Sequence, residues 1–160
     1  MRISPAIFLF FSTLIYSANQ SINYCDYSQI VDELIGSTFT DNEGNTMPIT
    51  ENEILVVAPY NMQVNLLKQG LDDRLKIGTI DKFQGQEAPV VIISMASSDV
   101  NESARGIDFL FDTHRLNVAI SRAKALAIIV HREGLEQCSV SSVSQILKVN
   151  MFCRLVKDGR

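Results

Sequence analysis

Two arginines in the second half of the chain could grip phosphate. Arg115 and Arg122 lie seven residues apart in the segment RLNVAISRAK. In a helix, this spacing places both side chains on one face, about 10.5 Å apart along the axis. Guanidinium groups form paired hydrogen bonds with phosphate oxygens, so such a face suits a phosphate-bearing ligand. A solvated face whose arginines pair with acidic neighbours would have the same pattern, and the segment alone leaves both interpretations open.

A second polar cluster, IDKFQGQE, lies directly before the apolar run VVIISM. Asp81 and Gln84 have the spacing of a helix capping box. Gly85 permits a backbone conformation closed to other residues, or the close approach of a ligand. The side chains of Gln84, Gln86 and Glu87 can hydrogen-bond sugar hydroxyls or amides. A tight connection between two elements would need no ligand, so this segment also keeps two interpretations.

The hydrophobic pattern predicts the scaffold for these clusters. Continuous apolar runs, typical of strands buried on both faces, alternate with helical patterns. The predicted strands are 54–58, 76–79, 90–95 and 126–130, and the predicted helices are 26–35, 61–69, 113–125 and one that opens at Ser142 with Gln145. Its expected buried face is Ile146, Val149, Cys153 and Val156. Polar loops are predicted at 37–52 and 96–106. This alternation indicates an α/β domain with a mostly parallel sheet and helices on both faces.

In parallel sheets of this kind, ligands bind at the carboxyl ends of the strands. Three polar clusters are expected at that edge: PYNMQ after the first strand, TIDKFQGQE after the second, and HRLNVAISRAK ahead of the last. The sequence therefore predicts a site at the carboxyl edge of the sheet.

The apolar stretch 6–16 near the N-terminus has three interpretations. One positive charge before it and small residues at positions 17 and 18 resemble a signal peptide. The stretch is too short and too rich in Ser and Thr for a membrane span. As a core helix, it would begin with Ser4 as the cap and Pro5 in the first turn. The apolar face of that helix would be Ile7, Phe11, Leu14 and Ile15.

Length and charge narrow the function classes. The chain has 160 residues, which is enough for one domain. Its net charge is −4 and its pI about 5.1, so long-range attraction to nucleic acid or to an anionic membrane is not indicated. Any polyanion would have to be held by local groups in a cleft.

Several kinds of site are excluded by the motifs that are missing. The cysteines, Cys25, Cys138 and Cys153, are odd in number and widely spaced, which argues against a disulfide framework and a zinc site. Neither His114 nor His131 belongs to a ligand pattern, so no metal site is predicted. The sequence has no GxxxxGK[ST], no acidic pair after a strand for Mg²⁺ and no GxSxG. The residues present cannot by themselves assemble a nucleophile, a base and a metal.

Three segments in order resemble the C-terminal motifs of superfamily 1 helicases. They are VVAPYNMQVNLLK, IGTIDKFQGQEAPVVIISM and RLNVAISRAKALAIIV. The branch is that of the nonsense-decay RNA helicases and the replication nuclease-helicases. The segments MASS…ARGIDFLF and ILKVNMFCRLV are most similar to bacterial proteins that join a RecB-like nuclease to such a helicase. The initial RISPAIFLFFSTLIY is similar to the segment that opens the second RecA-like domain, which would make its apolar helix part of the core.

The resemblance implies a nucleotide site shared with another domain. These helicases bind ATP between two RecA-like domains, and the second supplies arginines to the γ-phosphate. By motif match, the arginines would be Arg122 in SRA and Arg2 in RIS. Glu87 would reach the ribose, while Gln84 and Gly85 would lie beside the nucleotide and couple it to the nucleic-acid track.

The resemblance also implies a nucleic-acid track. Thr79, Tyr60 and Gln63 would contact the backbone of single-stranded DNA or RNA. Arg115 is assigned to holding its helix rather than to catalysis.

The resemblance further implies that the chain is half of a motor. Residues 1–160 would form one second RecA-like domain, with a divergent or shortened part at 1–48 and the motifs in 49–158. ATP and Mg²⁺ would bind only with the first RecA-like domain, in trans or in a longer chain, and a RecB-like nuclease domain is a further expected partner. The domain would be cytoplasmic, would not bind membranes, and would be inactive alone. The alternatives are a non-catalytic binding module or remnant, and a small exported protein.

Overall fold

The computed structural model describes residues 12–18, 24–41, 43–95 and 106–158 of the chain. The strands are β1 (Ser12–Ala18), β2 (Thr38–Thr40), β3 (Thr46–Pro48), β4 (Ile54–Val57), β5 (Lys76–Gly78), β6 (Ala88–Met95) and β7 (Ala123–Arg132). The helices are α1 (Tyr24–Leu34), α2 (Asn61–Gly70), α3 (Gly106–Leu110), α4 (Thr113–Ile120) and α5 (Val143–Asp158). Short 3₁₀ turns lie at Glu51–Glu53, Ile80–Phe83 and Leu135–Gln137.

Five of these strands form one parallel sheet in the order β1-β7-β6-β4-β5. Its central strands are almost entirely apolar, because residues of both faces are covered. Val57 of β4 is level with Gly78 of β5 and Ile93 of β6, and Ile93 is level with Ile129 of β7. The predicted fold class, a single α/β RecA-like domain, is confirmed.

Successive residues of the strands point to opposite faces of the sheet, which gives the protein two core layers. Ile54 and Val56 belong to the layer covered by α1, α2 and the β2–β3 hairpin. Leu55 and Val57 belong to the layer covered by the Ile80–Phe83 turn, α3, α4 and α5. The second layer carries the Ile80–Phe83 turn and α4 with Arg115, whereas Gln63 lies on α2, in the first layer.

The expectation of an N-terminal core helix is wrong from residue 12 onward, because this part of the stretch is β1. It pairs along its length with the edge of β7, from Ser12 beside Leu126 to Ala18 beside Arg132. Thr, Ile and Tyr favour extended backbone, and the free edge of β7 supplies the hydrogen-bond partners. The expected helix start at Ser4 and Pro5 lies outside the described residues.

The segment 37–52, predicted as a loop, contains a small antiparallel hairpin of β2 and β3. Asp41 closes its turn, since Oδ1 accepts hydrogen bonds from the backbone N–H groups of Glu43 and Asn45 at 2.9 and 2.8 Å. Phe39 and Ile49 are buried and tie the hairpin to the core. The runs of β2 and β3 are too short for a periodicity to reveal them.

Helix α5 begins as predicted but buries a different face. The Gln145 N–H donates to Ser142 Oγ at 3.2 Å, which is the expected cap. Phe152 is 0% exposed, whereas Ile146 is 50% exposed, so Ile146 was wrongly assigned to the buried face. None of the helices in the described ranges is long and apolar enough to cross a membrane.

Candidate functional site

The polar clusters lie at two opposite edges of the sheet, so the expectation of one site at the carboxyl edge is wrong. Tyr60 and Thr79 follow β4 and β5 at their carboxyl ends. The Ile80–Phe83 turn then crosses one face of the sheet, and residues 84–87 precede β6 at its amino end. The eight residues of β6 separate the two edges by roughly 23 Å.

Arg122 lies at the amino edge, in the connection between α4 and β7. The predicted helix 113–125 ends earlier, at Ile120, so Arg115 and Arg122 do not share a helix. The Arg122 Nε–H donates to the Val118 carbonyl at 3.3 Å, and the side chain is half-buried. Among the described residues, no carboxylate forms an ion pair with this guanidinium. Its two terminal nitrogens are therefore available to a ligand.

The turn 84–87 lies beside Arg122. The Ala88 N–H donates to the Arg122 carbonyl at 3.0 Å, which joins the two segments. Immediately after this bond the β6–β7 register slips by one residue, since Ala88 pairs with Ala123 but Val90 pairs with Leu126. A bulge of this kind commonly re-aims neighbouring side chains at the end of a sheet.

The side chains of this turn face solvent. Gln84, Gly85, Gln86 and Glu87 are all exposed. Gly85 has φ +79°, in the left-handed region that glycine adopts without strain, so a permissive residue is required there. The predicted capping box does not form, because the turn begins at Ile80 with Thr79 as its N-cap and Asp81 lies within it. The Asp81 carboxylate pairs with Arg115. The amino edge thus presents exposed hydrogen-bonding groups next to a guanidinium with two unused nitrogens.

Arg115 lies on α4, away from this edge. Its Nη2 is 3.2 Å from Asp81 Oδ2, and its guanidinium carbon is 4.4 Å from the centre of the Phe109 ring. Asp112 caps α4 by accepting the Arg115 backbone N–H at 2.9 Å. These contacts hold α4 against the Ile80–Phe83 turn.

At the carboxyl edge, Tyr60 and Thr79 stand at the starts of a helix and a turn. Tyr60 precedes α2, and its ring stacks on Phe109 with a centroid distance of 5.2 Å. Its hydroxyl is buried without a hydrogen-bond partner. Thr79 precedes the Ile80–Phe83 turn and makes no capping hydrogen bond through its side chain.

Gln63 points inward, to a buried polar group that the sequence analysis missed. Its Nε2 donates to Ser94 Oγ, and the same oxygen hydrogen-bonds the Tyr27 hydroxyl. Ser94 is 0% exposed, and burial raises the pKa of Tyr27 above its usual range. Gln63 Oε1 is buried without a partner. The only sequence signal for this group is a serine inside the apolar run VVIISM.

We expect Ser94→Ala to destabilise the protein by about 1–3 kcal/mol, because it leaves the Tyr27 hydroxyl and the Gln63 amide buried with an unmet hydrogen bond. Urea unfolding of the variant and of Ser139→Ala, an exposed control, measures this. Equal midpoints for the two variants would contradict the prediction.

The geometry brings Gln84, Gly85 and Glu87 together with Arg122, and leaves Tyr60, Gln63 and Thr79 at the far edge. Arg2 lies outside the described residues. No group of three His, Cys, Asp or Glu side chains in the described part of the chain could hold a metal ion. The amino edge presents exposed amide and carboxylate groups beside a guanidinium, which are groups that can hydrogen-bond hydroxyls and phosphate oxygens.

Comparisons with known proteins identify the family. A profile of the AAA_12 family, described as an AAA domain, matches residues 15–133. The chain is 32% identical over 123 residues to putative helicase mov-10-B.2 of Danio rerio, which covers 68% of this chain and 12% of that protein. It is 41% identical over 96 residues to DNA polymerase alpha-associated DNA helicase A of Saccharomyces cerevisiae, covering 56% of this chain and 14% of that protein.

A third relative is the DNA replication ATP-dependent helicase/nuclease JHS1 of Arabidopsis thaliana, 30% identical over 113 residues, covering 70% of this chain and 8% of that protein. The chain thus spans about a tenth of the length of these relatives. The family match begins within β1, ends just after β7 and includes both edges described above. The chain belongs to the AAA_12 family of AAA domains, within the superfamily 1 helicases.

Proposed function

We propose that the chain is the second RecA-like half of an ATP-dependent helicase and supplies Arg122 to the γ-phosphate of ATP. The observation that carries this proposal is the state of Arg122. Its guanidinium stands at the amino edge beside the exposed turn 84–87, bound through Nε to Val118 and to no carboxylate in the described residues. The guanidinium groups of Arg115 and Arg74, by contrast, are paired with carboxylates.

The role proposed for Arg122 in ATP hydrolysis follows from the positive charge of its guanidinium. ATP with its Mg²⁺ supplies the reacting phosphate, and both would be held mainly by a first RecA-like domain that carries the P-loop. Arg122 would offer two N–H groups to oxygens on which negative charge grows as the γ-phosphate departs. Glu87 would accept hydrogen bonds from the ribose hydroxyls, and Gln84 and Gly85 would lie beside the nucleotide. Arg2 would be a second arginine, by its position in the family motif.

Single-stranded DNA or RNA would lie along the carboxyl edge. Tyr60 and Thr79 are partly exposed there, and Tyr60 stands at the start of α2, whose first N–H groups lack a side-chain cap. Such N–H groups suit phosphate oxygens. Gln63 would reach the strand only after leaving Ser94, so its proposed contact requires a rotamer change. A RecB-like nuclease domain remains a proposed further partner, and the cytoplasm the proposed location.

The experiment is a reconstitution. The chain is assayed for ATP hydrolysis alone, and then mixed with or fused to a superfamily 1 domain that carries the P-loop, with and without oligodeoxythymidylate or oligouridylate. We expect no turnover by the chain alone and strand-stimulated turnover by the combination. Robust hydrolysis by the isolated chain would refute the division of labour proposed here, and the two oligonucleotides distinguish DNA from RNA.

The second candidate is a non-catalytic module that holds a single strand. It is favoured by the carboxyl edge, where Tyr60 and Thr79 of this chain both lie, whereas no P-loop sequence occurs in the chain. Oligonucleotide binding by the chain, without any rise in hydrolysis on addition of the P-loop domain, would select this candidate.

A further inference from the structure

Phe109 of α3 lies at the centre of contacts between four segments of the protein. Its ring stacks on Tyr60, which precedes α2, at 5.2 Å and an interplanar angle of 30°. The guanidinium of Arg115, on α4, lies 4.4 Å from the centre of the same ring. Arg115 in turn pairs with Asp81 in the Ile80–Phe83 turn at 3.2 Å. These contacts form an unbroken series of four side chains, Tyr60, Phe109, Arg115 and Asp81, here called the aromatic relay.

The relay begins at the carboxyl edge and includes a residue of each of the two segments that lead to the amino edge. Tyr60 is at the carboxyl edge. Asp81 lies in the turn that continues into residues 84–87, and Arg115 lies on the helix that ends just before Arg122. The Ala88–Arg122 hydrogen bond joins these two segments again at the amino edge. A displacement of the Tyr60 ring therefore has a path of side-chain contacts to Arg115 and Asp81, and from them along the backbone to both parts of the amino edge.

The chemistry of the relay makes Phe109 its least replaceable member. A planar ring can stack on a phenol and attract a guanidinium with the same π-electrons. An aliphatic side chain of similar volume would fill the space but would attract neither partner in a defined orientation. The Arg115–Asp81 pair is partly exposed and fixes the guanidinium only weakly by itself, so the contact with the Phe109 ring is a second constraint on its position.

We propose that Phe109 is a positioning residue that couples occupation of the carboxyl edge by a single strand to the placement of Arg122 and of residues 84–87. The proposal rests on the proposed function, because it takes the strand to be the ligand at the carboxyl edge. A strand that engages Tyr60 shifts the ring stack, and Arg115 carries the shift into α4 and the Ile80–Phe83 turn.

The test uses the chain itself, labelled with ¹⁵N, and follows amide resonances as a short oligodeoxythymidylate is added. In the wild-type protein we expect shifts at Asn61 and Thr79, and also at Gly85, Glu87 and Arg122. In Phe109→Leu, the first group should still shift at saturation, and the second group should lose most of its shift. Phe109→Tyr keeps the ring and should restore the response.

Two further variants separate coupling from stability. Phe39→Leu removes a buried ring from the opposite face of the sheet and should leave the distant shifts unchanged. Arg115→Lys keeps the charge but loses the planar group that stacks on Phe109, and should reduce the distant shifts even if Phe109→Leu fails to fold.

The outcomes are distinguishable. Binding that shifts only Asn61 and Thr79 in the wild-type protein overturns the coupling and leaves the nucleic-acid site standing. Distant shifts that persist in both Phe109→Leu and Arg115→Lys overturn it as well. No response to DNA or to oligouridylate overturns the proposed nucleic-acid function, and the coupling with it.

Discussion

Replacing Arg122 by alanine is expected to lower the rate of ATP hydrolysis by about 10³–10⁵-fold when the chain is combined with a P-loop domain, equivalent to roughly 4–7 kcal/mol of transition-state stabilisation. The cause is the loss of a positive charge where negative charge develops on the departing phosphate. The side chain contributes little to the described part of the fold, because its one hydrogen bond there is from Nε to the Val118 carbonyl at 3.3 Å. The substitution should therefore lower the rate of hydrolysis while leaving the stability of the fold nearly unchanged.

The measurement is steady-state hydrolysis with saturating single strand, alongside thermal unfolding of each variant. Arg122→Lys should recover only a small part of the rate, since an ammonium group cannot make the paired contacts of a guanidinium. Arg154→Ala, which removes an exposed arginine on α5, is the matched control and should hydrolyse ATP at the wild-type rate. A variant at Arg122 that is as active as the Arg154 variant would remove the basis of the proposed function.

The division of the polar clusters between two edges explains why the buried strand β6 follows a polar segment. Residues 79–87 connect the end of β5 to the start of β6 and pass over the face of β4, which lies between these two strands. Ile80 and Phe83 are buried on that face, while the residues on either side of them reach opposite edges. Gly78 makes the close passage possible, because a Cβ there would lie 2.9 Å from the Phe83 ring. One segment thereby supplies groups to both proposed ligands.

The strands of the sheet were predictable because both of their faces are covered, which leaves continuous apolar runs in β4, β6 and β7. Of the two outermost strands, β5 was predicted at 76–79, but β1 was not predicted. Strand β1 mixes Ser and Thr with apolar residues, as an edge strand does, and its partner β7 is more than a hundred residues away in the sequence. No local pattern reports such a partner, so a helix was the wrong expectation there.

The site was predictable in its residue types but not in its arrangement. A spacing of seven between Arg115 and Arg122 implied one helical face, but α4 ends at Ile120 and the chain turns before Arg122. The end of a helix that runs directly into a strand is not marked by Gly or Pro in SRAK. Likewise, the polar group around Ser94 joins α1, α2 and β6, and its members are 31 and 67 residues from Ser94 in the sequence. Contacts between residues so far apart in the sequence depend on tertiary packing, which the spacing of residues within one segment does not reveal.

Replacing Phe152 on α5 by alanine is expected to have the second large effect, a loss of stability. Phe152 is 0% exposed, and its ring lies 5.1 Å from that of Phe111 and 5.4 Å from that of His131. Truncation leaves a cavity and removes both ring contacts, which typically costs about 3–5 kcal/mol. Because small domains are stable by only about 5–15 kcal/mol, the urea midpoint should fall by a large fraction.

The surroundings of His131 indicate where in the range of about 3–5 kcal/mol the destabilisation by Phe152→Ala should lie. Its Nε2 is buried without a hydrogen-bond partner, while Nδ1 lies 2.9 Å from the Arg132 carbonyl. A cavity beside the ring would let water reach Nε2, and the new hydrogen bond would offset about 1 kcal/mol, which places the net cost near the lower end. Leu147→Ala, at a 65% exposed position of the same helix, should change stability by no more than about 0.5 kcal/mol. Equal urea midpoints for the two variants would show that α5 is not held to the sheet through Phe152.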